Sequence, residues 1–115
     1  MRAQAKKWVV TGGAGFIGSH IIKELVSRGQ EVVAVDDFST GSLSNLSSVQ
    51  QKIKIVSADI CNFSALLKAF QGADYVLHHA ALVSVPRSVE EPQLTWQINV
   101  SGTLNVLEAA RQAGV

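Results

Sequence analysis

Short β-branched runs alternate along this chain with longer stretches of helical period. Trp8-Val9-Val10-Thr11 predicts a strand that runs straight into glycines. From Phe16 to Arg28 the apolar residues Ile17, Ile21, Ile22, Leu25 and Val26 recur at helical spacing, which predicts a helix. Gly29 stands where a left-handed residue would end that helix. Glu31-Val32-Val33-Ala34-Val35 predicts a second strand, Ile53-Lys54-Ile55-Val56 a third and Tyr75-Val76-Leu77-His78 a fourth. A short helix starting near Asn62 would set Phe63, Leu66, Leu67 and Phe70 on one face. The Ser-, Gly- and Asn-rich stretch 39–51 predicts a loop with one helical turn.

The last predicted helix runs from about Gln93 to Ala113. Pro92 suits its first turn and Gly114 its C-terminal cap. Leu94, Ile98, Val106 and Ala109 lie on one side, with Gly102 between them allowing close packing. Trp96, Val100, Leu104 and Leu107 form a second row close to the opposite side. A helix apolar on two sides is usually buried on two sides, so one side packs on the sheet and the other needs a partner. There is no internal repeat, low-complexity tract or linker. Strand–helix alternation of this kind predicts an α/β fold with a parallel sheet and right-handed crossovers.

Composition removes several classes of function. At 115 residues, 47% hydrophobic and with a net charge of +1, the chain is neither disordered nor basic enough for nucleic acid or an anionic membrane surface. Cys61 is the single cysteine, which excludes an intrachain disulfide and a Cys-based zinc site and makes a reducing cytoplasm the expected home. No apolar run approaches the ~20 residues that span a bilayer. The opening Met1-Arg2-Ala3-Gln4-Ala5-Lys6-Lys7 leads into an apolar stretch too short for a signal peptide.

The candidate chemistry lies in Thr11-Gly12-Gly13-Ala14-Gly15-Phe16-Ile17-Gly18, between the first strand and the first helix. Glycines at 12, 15 and 18 allow a tight turn that a pyrophosphate can approach, and the helix start supplies amide donors. Gly18 is expected to let the helix lie close against the sheet. Asp36 ends the second strand 18 residues after Gly18, where a carboxylate can bind the adenosine ribose hydroxyls. A carboxylate there repels a 2′-phosphate, which favours NAD over NADP.

These residues and five further segments resemble the N-terminal part of an extended short-chain dehydrogenase/reductase, in the NAD-dependent epimerase/dehydratase family. Asp36-Asp37-Phe38-Ser39-Thr40-Gly41 is similar to that family's segment around the adenosine. Asp59-Ile60 matches the acidic–apolar pair flanking the adenine, and His78-His79-Ala80-Ala81 the strand end beneath the cofactor. Ser84-Val85-Pro86-Arg87-Ser88 and Asn99-Val100-Ser101-Gly102-Thr103-Leu104-Asn105 resemble UDP-hexose 4-epimerases in particular. The resemblance implies a Rossmann-type three-layer fold of about four strands in the order 3-2-1-4, a dinucleotide-binding half-domain over residues 1–115. It implies NAD as cofactor, held by Gly12, Gly15, Phe16, Ile17, Asp36, Asp37, Phe38, Ser39, Thr40, Gly41, Asp59, Ile60, Ala80, Ala81 and Asn99.

Some of these positions carry a plainer reading as well. Asp59 can help cap the helix near Asn62, and Asn99 can bond backbone instead of cofactor. His78 is expected to pack beneath the sheet edge, and Ser84 reads by default as a loop serine. His79 departs from the apolar or amide residue common in the family. The resembled enzymes move protons with a Tyr-x-x-x-Lys pair, whereas here the single tyrosine, Tyr75, has His79 four residues later. No catalytic residue and no metal site is therefore assigned within these residues.

The resemblance implies a UDP-sugar partner only once a C-terminal part is supplied. It also implies self-association through the edge of the fourth strand or the 93–113 helix. Three functions follow in order of preference: the NAD-binding portion of a nucleotide-sugar epimerase or dehydratase, not catalytic by itself; a stand-alone nucleotide-binding or oligomerising module; and a structural remnant that binds nothing.

Overall fold

Four parallel strands organise the computed structural model, which describes residues 5–115. Met1–Gln4, the start of the opening segment read as too short for a signal peptide, lies outside the described residues. The strands are β1 (Lys7–Thr11), β2 (Glu31–Asp36), β3 (Lys54–Ser57) and β4 (Tyr75–His78), in the order β3-β2-β1-β4. Each agrees with its predicted run to within one residue at either end. Val9 pairs with Val33 on one side and Val76 on the other. The β1–β4 edge is reinforced by Trp8, whose ring stacks on Tyr75 at 4.3 Å. The single tyrosine thus packs against a strand neighbour.

Alternation along β1 and β2 sorts side chains to two faces. Val10, Val32 and Ala34 face Ile22 and Leu25 of α1 (Phe16–Ser27), together with Leu46 and Val49. Val9, Val33 and Val35 face Leu66 and Phe70 of α2 (Phe63–Phe70) and Val106 and Ala109 further on. Helices on both faces give the three-layer Rossmann-type fold expected from the sequence. Each fully buried Phe or Leu stabilises it by roughly 1.5–3 kcal/mol.

Local signals set the ends of these elements. α1 closes at Arg28, and Gly29 follows with φ +74°, as its position suggested. Asn62 starts α2, its side-chain oxygen accepting the Ala65 amide at 3.1 Å. Asp59 instead accepts the Cys61 amide at 2.9 Å, so the cap belongs to Asn62. The 39–51 stretch holds two short 3₁₀ turns where one was expected, Leu43–Leu46 and Gln50–Lys52. Leu46 and Val49 are buried, and that burial orders both turns.

Two further corrections concern the C-terminal third. A helix that the sequence pattern did not predict, α3 (Val85–Glu90), follows Ser84, the residue read as a loop serine, which caps it with Oγ accepting the Arg87 amide at 3.3 Å. Val85 and Val89 of this helix are exposed, so it has no apolar stripe to betray it. The predicted single helix over 93–113 is three pieces: α4 (Pro92–Trp96), a wide turn with i→i+5 bonding (Gln97–Ser101) and α5 (Gly102–Ala113). In an α-helix of ~3.6 residues per turn, four-residue steps drift by about 40° each. Leu94, Ile98, Gly102 and Val106 are spaced by fours, and the wide turn takes up that drift. The side running through Val106 and Ala109 is buried, while Trp96, Val100, Leu104 and Leu107 are exposed. Among the described residues no helix is long and apolar enough to cross a membrane.

Candidate functional site

A cleft of about 540 Å³ opens at the C-terminal ends of the strands, between the glycine turn, the 36–41 segment, Asp59–Cys61 and the chain leaving β4. This is where open parallel sheets bind ligands, beside the point where strand order reverses. In the order β3-β2-β1-β4 that point lies between β1 and β4.

Each glycine of the turn answers a different constraint. Gly12 has φ +67°, and a Cβ there would lie 2.7 Å from the Ala80 nitrogen and the His79 carbonyl carbon. The turn therefore rests directly on the chain leaving β4. Gly15 starts α1, and a Cβ there would meet only the Gly12 oxygen, at 3.3 Å, so its surroundings are open. Gly18 was expected to admit the sheet. Its virtual Cβ falls 2.2 Å from the Gly12 oxygen, so it admits the turn itself. Helix and sheet come together at Gly13, where a Cβ would strike Ile22 and Ala34 at 2.8 and 2.9 Å. The glycine spacing did not single out Gly13, although its place between two apolar elements carries that signal.

Asp36 is 9% exposed and accepts two backbone amides, Ala14 N at 2.9 Å on Oδ2 and Phe38 N at 2.8 Å on Oδ1. A carboxylate has about four acceptor positions, so one on each oxygen stays available. Phe38 makes this geometry at φ +60°, a conformation uncommon for a bulky residue. Its ring packs against the α1-side core, away from the cleft lining. Asp37 turns the following chain by accepting Ser39 N at 3.0 Å and Ser39 Oγ at 2.8 Å. Gly41 is packed so closely that a Cβ would sit 2.9 Å from Asp36 Oδ2. Beyond it, Ser42 N and Asn45 Nδ2 donate to the Ala14 carbonyl at 3.1 and 2.8 Å, anchoring the loop to the glycine turn. Nothing in the sequence pattern marked these two residues.

Of the predicted cofactor-binding residues, all but Phe38 and Asn99 line the cleft. Phe16 and Ile17 stand exposed at its rim, and Ala80 and Ala81 form part of its wall. Ile60 lines it while filling the space above Gly102, where a Cβ would be 2.5 Å from Ile60 Cδ1. Asn99 is engaged with backbone: Oδ1 accepts Leu82 N at 2.7 Å and Nδ2 donates to Leu82 O at 2.9 Å.

The lining is electrostatically uneven. Asp36, Asp37 and Asp59 gather at one end, and Arg87 is the one lysine or arginine among the described lining residues. Arg87 Nε donates to Glu91 at 2.8 Å, leaving the rest of its guanidinium fork free. Burial and the Asp59 carboxylate push the Cys61 thiol pKa up, which keeps it protonated and unreactive. His78 lies half-buried beneath the wall, its pKa held down by burial and then by His79. It reaches Thr11 on one ring nitrogen and Thr103 on the other, in keeping with a packed position.

Known proteins share this arrangement. A UDP-glucose 4-epimerase of Mycolicibacterium smegmatis is 43% identical over 111 residues, 93% of this chain and 35% of that protein. The UDP-glucose 4-epimerase of Thermus thermophilus, solved with NAD, superposes with a TM-score of 0.86 at 42% identity, covering 95% of this chain and 35% of its own. A dTDP-glucose 4,6-dehydratase of Streptomyces venezuelae, solved with NAD and TYD, gives a TM-score of 0.90 at 34% identity over 95% of this chain and 37% of its own. The chain thus spans about a third of the length of these relatives. With residues 8–115 matching the family and the glycine turn, Asp36 and the β4 end meeting in one cleft, the chain belongs to the NAD dependent epimerase/dehydratase family.

Proposed function

We propose that this chain is the NAD-binding portion of a nucleotide-sugar epimerase, closest to the UDP-hexose 4-epimerases. The observation that carries this is Asp36, buried beside the glycine turn with an acceptor position free on each oxygen. A vicinal ribose diol offers two donors at matching separation, and a 2′-phosphate offers charge repulsion instead. The turn fits the remainder of the dinucleotide, since side chains at Gly12 or Gly18 would displace the backbone that a pyrophosphate approaches. When bound, NAD accepts and returns a hydride. The chain's own part is to grip the adenosine end through Asp36, Asp37, Ser39, Thr40 and Gly41, flank the adenine with Asp59 and Ile60, and wall the cleft with Ala80 and Ala81. Asn99 serves this site by fixing Leu82. Sugar-nucleotide binding and proton transfer need groups beyond these 115 residues, which contain no Tyr-x-x-x-Lys pair.

Calorimetric titration of the chain with NAD, with NADP and with NAD lacking the adenosine 2′-hydroxyl tests this reading. Saturable NAD binding and at least tenfold weaker binding of the other two are expected. Equal affinity for NADP removes Asp36 from the site, and no binding by the folded chain removes the cofactor. Charge-assisted bonds of ~1.5–3 kcal/mol make Asp36→Ala weaken NAD by about one to two orders of magnitude.

The partner is a second copy of the chain. Trp96, Val100, Leu104 and Leu107 form an exposed apolar row on α4, the wide turn and α5, and among the described residues the far edge of β4 has no strand beside it. Patches of this kind mark association surfaces, as do open strand edges. Sedimentation should show a dimer or larger species that Leu104→Glu disperses. A monomer at high concentration overturns this assignment.

A further inference from the structure

His78 lies beneath the cleft wall without touching the space a ligand would fill, and its surroundings fix more than its position. Thr11 is fully buried, and its Oγ1 accepts the Ala80 amide at 3.2 Å and the His79 amide at 3.0 Å, the latter shared with the Thr11 carbonyl. A hydroxyl has two acceptor positions and one proton to give. With both acceptor positions taken, the Thr11 proton has one destination, His78 Nδ1 at 2.6 Å. Nδ1 is then an acceptor, and the neutral ring carries its hydrogen on Nε2. That nitrogen donates to Thr103 Oγ1 at 3.0 Å, and Thr103 in turn donates to the Asn99 carbonyl at 2.7 Å. The Asn99 side chain closes the path by clamping both backbone groups of Leu82.

We propose that His78 is a positioning residue for the cleft, held as the neutral Nε2–H tautomer by a one-directional chain of hydrogen bonds from Thr11 through Thr103 to Asn99. The chain joins β1, β4 and the start of α5, and it ties down the 79–82 segment at Ala80 and Leu82. The Gly12 turn rests on that same segment, so the lock sets the spacing between the turn and the opposite wall. An imidazolium or the Nδ1–H tautomer would place a third donor on Thr11 Oγ1 and strand the buried Thr11 proton without an acceptor. The ring can therefore complete the chain in one protonation state.

The lock itself is testable without a ligand, although its use in cofactor binding rests on the function proposed above. Long-range ¹⁵N–¹H NMR of the imidazoles at pH 7 should show His78 protonated at Nε2 alone. Protonation at Nδ1, or at both nitrogens, overturns the proposal. Amide exchange gives the second reading, with Ala80 and Leu82 exchanging at least about tenfold faster in His78→Phe than in the native chain. Exchange at Val33, in the sheet core, should stay unchanged. Thr103→Val, which keeps the side-chain shape, should speed Leu82 exchange in the same direction, and His78→Gln should recover part of the protection. Unchanged exchange in both the His78→Phe and the Thr103→Val chains overturns the positioning role. NAD titration of the same proteins separates the two readings. Absence of NAD binding by the native chain removes the cofactor assignment and leaves the tautomer and exchange results to decide the lock.

Discussion

The cleft has two walls built on different principles. On the Asp36 side, order comes from the main chain: Gly12, Gly13 and Gly18 sit where any Cβ would collide, and Asp36 binds backbone amides. On the β4 side, order comes from side chains: Thr11, His78, Thr103 and Asn99 hold a segment whose neighbours Val83, Val85 and Val89 are exposed. Steric exclusion has no intermediate settings, whereas a hydrogen-bond chain can be weakened one link at a time. The first wall should therefore fail all at once and the second by degrees.

Changing one glycine tests the stricter wall. Gly18→Ala sets a methyl 2.2 Å from the Gly12 oxygen, a clash with backbone that no side-chain rotation relieves. A loss of about 3 kcal/mol or more is expected, since overpacking a tight core typically costs 1–3 kcal/mol and backbone cannot yield as a side chain does. Urea denaturation measures it. A loss below about 1 kcal/mol would show that the turn moves freely.

The other wall should lose less. Asn99→Ala leaves the Leu82 amide and carbonyl to water or to no partner, which costs about 1–3 kcal/mol if they stay buried. Because the segment is partly open, the effect should concentrate locally, as faster amide exchange around Leu82. An equal slowing or speeding of exchange across β1 and β2 would contradict the division between the walls.

Acid should act on the second wall through His78, and this effect should be the least of the three. The His78 pKa is lowered in the folded chain, first by burial and then by its neighbour His79, while Thr11 and Thr103 on either side are uncharged. The unfolded chain thus binds the proton more readily. This contribution to stability is complete above the unfolded value of about 6.5 and is lost as pH falls through the lower folded value. Native-state stability followed from pH 7.5 to 5 should decline in the wild type and flatten in His78→Gln. An identical slope in both would remove His78 as the source.

Much of the first wall was legible in the sequence, and the reason is that main-chain constraints are local. Val9, Val10 and Val32–Val35 alternate or run apolar, glycines punctuate, and an acidic residue ends β2 at a readable distance. Asn62 and Gly29 mark helix ends by their own conformational chemistry. The second wall was harder because its partners lie far apart in the chain. Asn99 meets Leu82 across 17 residues and Thr11 meets His78 across 67, and no periodicity reports such pairs. Asn99 was accordingly open to two readings, cofactor contact or backbone bonding. α3 escaped notice for a related reason, since Val85 and Val89 face solvent and leave only Ser84 and Pro86 as signals. Gly18 was correctly singled out but given the wrong neighbour, because spacing shows that room is needed and not for what.

The wide turn at Gln97–Ser101 makes the winding of this segment as consequential as its composition. It holds one residue more than an α-turn would, and that surplus keeps α4 and α5 in phase with the same core face. Deleting one residue there would leave an ordinary α-turn of nearly the same angular span and α5 in the same phase, whereas closing the turn with every residue kept would rotate α5 by about 100° relative to α4. In that closed form Val106 and Ala109 would swing out of the core, and the Leu104–Leu107 row would turn toward it. Removing one residue from the segment preserves this phase, whereas losing the wide turn at an unchanged count exchanges the inside of the helix for its outside.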